Sequence, residues 1–147
     1  MKSFWDYIND NGGHVHETIV TGFDSPDVEI YAKALKKENE IRVYIDDKLI
    51  ARDEDELTEY FYVNYNLTIH FCDWCGGIMQ AGMTDDNGDR YVHEECFMDY
   101  MDDAYGRGKW MSLGNGEEDG AGGYYIVTAD VAGGYEPTGI YYTEYYG

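Results

Sequence analysis

Four potential metal ligands lie close together in residues 71–96, which read FCDWCGGIMQAGMTDDNGDRYVHEEC. They form two pairs with the same short spacing, Cys72-x2-Cys75 and His93-x2-Cys96, and 17 residues separate one pair from the other. Two residues between paired ligands allow a tight turn in which both side chains face one ion. Because zinc in structural sites takes four protein ligands in a tetrahedron, the pattern predicts one structural zinc ion with no position left for water.

The residues around these pairs predict the local shape of the site. Gly76 and Gly77 follow the first pair and permit the backbone angles that a knuckle turn needs. Asn87-Gly88 is a strong signal for a β-hairpin, and the second pair lies at the start of a helix predicted over residues 93–105. We therefore expect a knuckle, a hairpin and a helix in that order.

This order of elements resembles a treble-clef zinc finger, and the ligand spacing is similar to that of the first zinc module of LIM domains. The resemblance extends over residues 71–105, and no second LIM module follows in the sequence. It implies that the metal folds the region around it, since the binding energy of such a site is folding energy. It implies no LIM function.

Other patterns offer weaker metal sites. His14-x-His16 could chelate an ion from one face of a strand, and His70 lies two residues before Cys72. Two histidines alone make a poor site, so we interpret them as ordinary strand or surface histidines. Residues 85–89, DDNGD, are similar to a calcium-binding loop but lack its ligand pattern, which favours a turn.

The whole sequence predicts a small mixed α+β domain with an embedded treble-clef-like zinc knuckle and a tyrosine-rich C-terminal β region. Helices are predicted over residues 3–10, 25–37, 53–64 and 93–105, and strands over residues 14–23, 40–44, 48–51, 67–71, 109–113, 124–128 and 139–144. An acidic loop is expected over residues 114–123, and Gly133-Gly134 and Pro137 are expected to join the last two strands. We divide the chain into residues 1–66, 67–108 and 109–147, packed as one compact unit.

The helix over residues 25–37 is predicted from a cap and a periodicity. Ser25 and Pro26 make a favourable N-cap and first turn, and four apolar positions then recur at helical spacing. These positions are Val28, Tyr31, Ala32 and Leu35.

The chain is strongly acidic, with 30 acidic and 10 basic residues and a net charge of -20. From residue 53 onward there are 20 acidic residues and only Arg90, Arg107 and Lys109 as bases, so this part carries -17. Each phosphate contact in a nucleic-acid complex needs a lysine or arginine, which excludes direct nucleic-acid binding. The negative electrostatic field of the chain attracts basic surfaces, so we expect a cationic protein partner.

Two observations indicate the compartment. The N-terminus lacks the continuous apolar segment of a secretory signal peptide, and no apolar run approaches the roughly 20 residues of a membrane span. Three cysteines are an odd number for a disulfide framework, and all three belong to the metal pattern, which is typical of a reducing compartment. We expect a cytoplasmic protein.

Clusters of acidic residues form candidate partner-binding surfaces. On the helix over residues 93–105 the predicted buried face holds Phe97, Tyr100, Met101 and Ala104, and the predicted outward face holds Glu95, Asp99, Asp102 and Asp103. Carboxylates one helical turn apart are about 5–6 Å from each other, a spacing comparable with that of phosphates along a strand. The same imbalance recurs in Asp53, Glu54, Asp55 and Glu56, which begin a predicted helix, and in residues 85–89 and 117–119. A solvated face explains any single cluster, whereas the repetition favours binding to a partner.

Seven tyrosines lie near the end of the chain: Tyr124, Tyr125, Tyr135, Tyr141, Tyr142, Tyr145 and Tyr146. Tyrosine is frequent in half-buried strands and also among the residues that dominate the binding energy of interfaces. The sequence leaves both interpretations open.

Small, very acidic proteins with no catalytic motif resemble the inhibitors that phages and mobile elements direct against host nucleases, especially anti-CRISPR and antirestriction proteins. The resemblance is one of type, carried by size, charge and the zinc knuckle. It implies binding to the basic channel of a nuclease in a bacterial host cell, and the effector of a type II CRISPR system is the expected target.

Two other classes of protein fit some of the same residues. A zinc-stabilised adaptor would bind a basic protein of another process and would differ only in its partner. A metal-dependent nuclease of the His-Asn-His type also has a treble-clef scaffold, but it needs basic residues that hold DNA, and His93 is already assigned as a zinc ligand. We therefore expect no enzymatic activity and keep the adaptor as the alternative to the inhibitor.

Overall fold

A computed structural model describes residues 2–22, 24–85, 88–114, 123–129 and 135–146. In these ranges the helices are α1 (Phe4–Asp10), α2 (Glu54–Tyr65) and α3 (Glu94–Tyr105). The strands are β1 (His14–Ile19), β2 (Val28–Leu35), β3 (Glu40–Ile45), β4 (Lys48–Ala51), β5 (His70–Phe71), β6 (Ile78–Met79), β7 (Ala81–Asp85), β8 (Tyr91–Val92), β9 (Trp110–Gly114), β10 (Gly123–Ala129) and β11 (Tyr135–Tyr146). Helices and antiparallel strands are mixed along the chain, which confirms the α+β fold class.

Within the described residues the strands form three antiparallel sheets. Their strand orders are β1-β2-β3-β4, β5-β6 and β8-β7-β11-β10-β9. The chain divides into two compact units, the first ending at Gln80 and the second beginning at Ala81. The division into residues 1–66, 67–108 and 109–147 stays a prediction.

In the first unit α1 and α2 pack with the four-stranded sheet around one hydrophobic core. The fully buried helix residues are Phe4 and Ile8 of α1 and Leu57 and Phe61 of α2. The same core includes Ile19, Ile30, Ala32 and Val43 of the sheet. Burial of each large apolar side chain contributes about 1.5–3 kcal/mol, so this core holds both helices to the sheet.

The first helix begins and ends where the sequence predicts. The Ser3 backbone N–H donates to the Asp6 carboxylate at 2.9 Å, and the Asp6 backbone N–H donates to the Ser3 hydroxyl at 3.3 Å. This capping box satisfies N–H groups that have no acceptor inside the helix, and its hydrogen bonds hold the pKa of Asp6 below the usual value. Gly12 and Gly13, with φ angles of +92° and +95°, follow the helix and turn the chain into β1.

The prediction of a helix over residues 25–37 is wrong, since this segment contains β2. Apolar residues also alternate here, at Val28, Ile30, Ala32 and Ala34, and this period of two places Ile30 and Ala32 in the core. In a segment this short, the apolar residues are compatible with the spacing of a helix and with the period of two of a strand. Pairing with β1 and β3 decides between them, because only a strand adds its alternating apolar face to the face of the neighbouring strands.

In the second unit α3 packs with the five-stranded sheet. Phe97, Tyr100 and Met101 of α3 are buried, as predicted, whereas Ala104 is exposed and was assigned to the wrong face. The Phe97 ring meets the buried Tyr142 ring of β11 edge to face, with centroids 5.1 Å apart. These aromatic residues fix the orientation of α3, so the remaining faces of the helix are set for solvent or a partner.

The ends of several strands differ from the prediction. β11 is longer than the strand predicted over residues 139–144 and contains Pro137, which we expected in a connection. Its pairing with β7 involves residues 142–146, so the missing N–H of Pro137 interrupts no bond of that pair. The strand predicted over residues 67–71 is confirmed only at β5.

Several predicted features lie outside the described residues. These are most of the acidic loop (residues 115–122), the Gly133-Gly134 turn and Asn87 of the predicted hairpin turn. The hairpin itself is confirmed by the pairing of β7 with β8. No helix in the described ranges is both long and apolar enough to cross a membrane.

Candidate metal centre

The first pair of ligands lies in a turn between β5 and β6 that three hydrogen bonds hold. The Cys72 backbone N–H donates to the Gly77 carbonyl at 2.8 Å, and the Gly76 N–H donates to the Cys72 carbonyl at 2.9 Å. The Gly77 N–H donates to the Cys75 sulfur at 3.3 Å. A backbone donor aimed at sulfur favours the thiolate form, which is the form that binds metal.

The two glycines of this turn are required for different reasons. Gly76 has a φ angle of +81°, and a Cβ there would overlap the Ser3 carbonyl oxygen. A Cβ at Gly77 would meet the Tyr7 ring at 3.2 Å. The sequence predicts that both glycines are needed for their backbone angles. At Gly77 the structure shows a different reason, because the Tyr7 ring occupies the space that a side chain would need.

Tyr7 is itself held in place beside the turn. Its hydroxyl donates to the Glu17 carboxylate at 2.7 Å. Burial is the main reason that the pKa of Tyr7 lies well above the usual value, and the Glu17 carboxylate adds to it. The Tyr7 ring is therefore uncharged and fixed in position, and the turn that contains Gly77 packs against it.

The second pair of ligands lies at the start of α3. His93 is the N-cap residue, with extended backbone angles of φ −55° and ψ 147°, and its side chain does not cap the helix. The Cys96 N–H donates to the His93 carbonyl at 3.0 Å, which closes the first turn.

All four ligand side chains come together. The ligand atoms of Cys72, Cys75, His93 and Cys96 lie within 4.8 Å of one another. Cys72 is buried, and the other three are partly buried. These residues could hold one metal ion, which confirms the predicted ligand cluster.

The other histidines belong to different surroundings. The rings of His14 and His16 on β1 have centroids 6.4 Å apart, and Tyr31 packs on His16 with centroids 4.7 Å apart. Among the described residues, the only cluster of three or more potential ligands is the one above. Burial lowers the pKa of His70 below its usual value.

The predicted acidic face of α3 is only partly as expected. Glu95, Asp99 and Asp103 are exposed. Asp102 is half-buried, and its carboxylate accepts a hydrogen bond of 2.7 Å from the Trp110 indole N–H. Asp102 therefore has a structural role, and the outward face is the row of the other three residues.

The second predicted acidic cluster has mainly local roles. The Asp53 carboxylate accepts from the Glu56 N–H at 2.8 Å and caps α2. Half-buried Glu54 accepts from the Phe4 N–H at 2.7 Å, and Glu56 accepts from the Arg52 N–H at 3.3 Å. Asp55 is exposed. The helix start is confirmed, and these bonds explain three of the four acids without a partner protein.

Another acidic segment begins at Asp85, and its residues 86 and 87 lie outside the described residues. The buried Asp85 carboxylate accepts from the N–H groups of Asp89 and Arg90 at 2.8 and 3.2 Å. This is a side-chain-to-backbone turn bond of the kind that aspartate makes locally. The acidic residues 117–119 lie outside the described residues.

The sequence reasoning missed an apolar group beside the acidic row. Met98 is 62% exposed and Met111 on β9 is 39% exposed, and both line a groove together with Trp110. The available signal was Met98 itself, a large apolar residue outside the predicted buried stripe of α3. Of the seven C-terminal tyrosines, Tyr142 is buried in the core. The structure does not describe the side chains of the other six.

No protein-family model, curated protein or solved structure matches the chain.

Proposed function

We propose that the protein is a zinc-stabilised acidic inhibitor that acts in the cytoplasm of a bacterial host cell. It binds a nucleic-acid-handling protein of that cell, and the proposed target is the effector nuclease of a type II CRISPR system. The observation that carries the proposal is the row of exposed carboxylates Glu95, Asp99 and Asp103 on α3, which we call the acidic row.

Repulsion between the carboxylates of the acidic row lowers the stability of α3. Its members are spaced four residues apart, and like charges at this spacing destabilise a helix by about 0.2–0.5 kcal/mol per pair. No ion pair or side-chain hydrogen bond joins them to another residue within the described ranges. The last turn of α3 contains no basic residue to complement the helix dipole. A costly arrangement of this kind supports a role in binding.

The chemistry of the acidic row suits a nucleic-acid-binding protein. Nucleases hold DNA and RNA in channels lined with lysine and arginine, and the guide–target duplex of a CRISPR effector lies in such a channel. Carboxylates about 5–6 Å apart present charge at a spacing comparable with that of phosphates. The net charge of -17 from residue 53 onward increases the rate of encounter with such a surface.

The donor set supports zinc as the metal. Three thiolates and one imidazole form a set that prefers zinc over hard ions such as magnesium and calcium. Four protein ligands fill a tetrahedron, so the metal stabilises the fold and has no open position for a substrate.

The proposal is tested by DNA cleavage in vitro. Purified type II effector nuclease with its guide RNA is mixed with increasing amounts of the protein, and the cleaved fraction of a matched DNA target is measured. We expect inhibition that weakens strongly in the triple variant Glu95→Lys, Asp99→Lys and Asp103→Lys. Asp102 is left unchanged because it binds Trp110.

A matched control changes the same amount of charge elsewhere. Asp24, Asp27 and Glu38 are exposed in the first unit, and their replacement by lysine shifts the net charge equally. If both triple variants lose inhibition equally, net charge alone acts and the acidic row is not the interface. If the wild type inhibits no type II effector but binds another basic host protein, the adaptor function replaces the inhibitor.

A further inference from the structure

An open groove lies beside the acidic row within the second unit. It has a volume of about 690 Å³ and runs between α3, the residues that follow it, and the start of β9. The described residues that line it are Met98, Asp99, Asp102, Arg107, Gly108, Trp110 and Met111. The groove thus combines an aromatic ring, two thioethers and two carboxylates.

Trp110 is held rigidly in this groove. Its indole N–H donates to the Asp102 carboxylate at 2.7 Å, and its ring meets the buried Phe97 ring edge to face, with centroids 6.1 Å apart and planes at 85°. Two contacts in different directions fix the ring plane. A preorganised aromatic surface loses little conformational entropy when a ligand packs on it.

The methionines beside Trp110 are unusually exposed for large apolar residues. Met98 is 62% exposed and Met111 is 39% exposed. Tryptophan and methionine are enriched in protein–protein interfaces, and tryptophan is among the most frequent hot-spot residues. The flexible methionine side chains can also adapt to an inserted group.

The charge of the groove decides which group it accepts. Exposed Asp99 forms part of the wall, and it belongs to the acidic row. A group that matches both the aromatic surface and the carboxylate must be flat, apolar along its stem and cationic at its tip. Arginine has these properties, because its guanidinium stacks on aromatic rings and pairs with a carboxylate through two parallel hydrogen bonds.

We infer that the groove receives an arginine side chain of the partner protein's basic surface. The guanidinium packs on Trp110 and pairs with Asp99, while Met98 and Met111 cover its stem. This inference rests on the proposed function, in that the acidic row faces a cationic partner. It adds that one arginine is the anchor of the contact, so affinity depends on apolar contacts as well as on charge.

Arg107 gives the inference a distinctive consequence. Among the described residues that line the groove it is the one cationic residue, and it is exposed. Its charge opposes the entry of a second cation. Arg107→Gln should therefore strengthen the binding of an arginine, whereas the same change would weaken the binding of an anionic or simply polar group.

The test uses defined peptides and the complete protein. Nona-arginine, nona-lysine and nona-glutamate are titrated into protein labelled with ¹³C at methionine methyl groups and ¹⁵N at indole nitrogens, and spectra and dissociation constants are recorded. Nona-arginine should shift the Met98, Met111 and Trp110 signals and bind more tightly than nona-lysine. Met98→Ala should weaken nona-arginine binding about fivefold, and Arg107→Gln should tighten it about threefold.

Control variants separate the groove from the acidic charge. Val63 is an apolar residue of α2 that is 69% exposed, so Val63→Ala should leave peptide affinity unchanged. One outcome separates the two proposals: nona-arginine binds and loses affinity in the acidic-row lysine variant, but Met98→Ala and Arg107→Gln leave its affinity unchanged. In that case the groove inference fails and the proposed function stands. If neither cationic peptide binds, both fail. Equal affinity for nona-lysine and nona-arginine overturns the assignment of arginine.

Discussion

Gly76 shows how single residues determine the metal centre. It combines a positive φ angle with a close approach to the Ser3 carbonyl oxygen, so both the backbone conformation and the available space exclude a side chain. The Cys72 carbonyl accepts the Gly76 N–H, which ties this position to the first metal ligand. A change at Gly76 should therefore affect stability and metal affinity together.

We predict that Gly76→Ala lowers the free energy of unfolding by about 2–4 kcal/mol, because backbone strain and steric overlap add. Urea unfolding of the metal-loaded protein, followed by circular dichroism, measures the loss. Gly12→Ala is the matched control, since Gly12 has a φ angle of +92° but no atom within 4 Å of a new Cβ. The control should lose about 1 kcal/mol, and equal losses would show that overlap with Ser3 is unimportant.

At the scale of the element, α3 combines two metal ligands, a buried aromatic face and the acidic row. Its two ends place acids in opposite electrostatic surroundings. Glu94 lies in the first turn, where the helix dipole favours negative charge, whereas Asp103 lies near the end, where the dipole opposes it. Asp99 and Asp103 also repel each other across one turn.

We predict that the double variant Asp99→Asn and Asp103→Asn is more stable than the wild type by about 0.5–1 kcal/mol at low salt. The gain should shrink as salt screens the charges, and thermal unfolding at two salt concentrations measures it. Glu94→Gln, at the favourable end of the helix, should change stability in the opposite direction. A loss of stability in the double variant would mean that the acidic row has compensating partners within the protein.

At the scale of the whole molecule, we expect the metal ion to stabilise the fold and the net charge to determine which class of partner can bind. We predict one zinc ion per chain by elemental analysis of the purified protein. Cys72→Ser or Cys96→Ser should abolish stoichiometric binding and unfold at least residues 71–105, because the energy of a structural zinc site is folding energy. A metal-free protein that a strong chelator does not destabilise would contradict the structural role.

We also predict that the protein binds neither DNA nor RNA at physiological salt. A net charge of -20 repels phosphates, and too few lysines and arginines are present to neutralise them. Gel-shift titration with duplex DNA and single-stranded RNA measures this directly. Binding in the micromolar range or tighter would contradict both the inhibitor and the adaptor functions.

The sequence by itself determined the features that depend on neighbours along the chain. The ligand spacing identified all four members of the metal cluster, since each pair closes within one turn. Helices were predicted from residues 3 and 53, and α1 and α2 begin directly after these positions, where Ser3 and Asp53 bond to N–H groups three residues away. The strands predicted over residues 40–44 and 48–51 are likewise close along the chain, and they pair as β3 and β4.

Only the tertiary structure decided the features that depend on contacts between distant residues. Residues 28–35 satisfy the periods of both a helix and a strand, and pairing with β1 and β3 selects the strand. Asp102 was assigned to the outward face because the position of Trp110, eight residues away, was unknown. The groove is lined by residues of α3 and of β9 and its approach, so no local pattern could indicate it. The physical reason is the same throughout: packing and strand pairing act between segments whose proximity the linear chain does not encode.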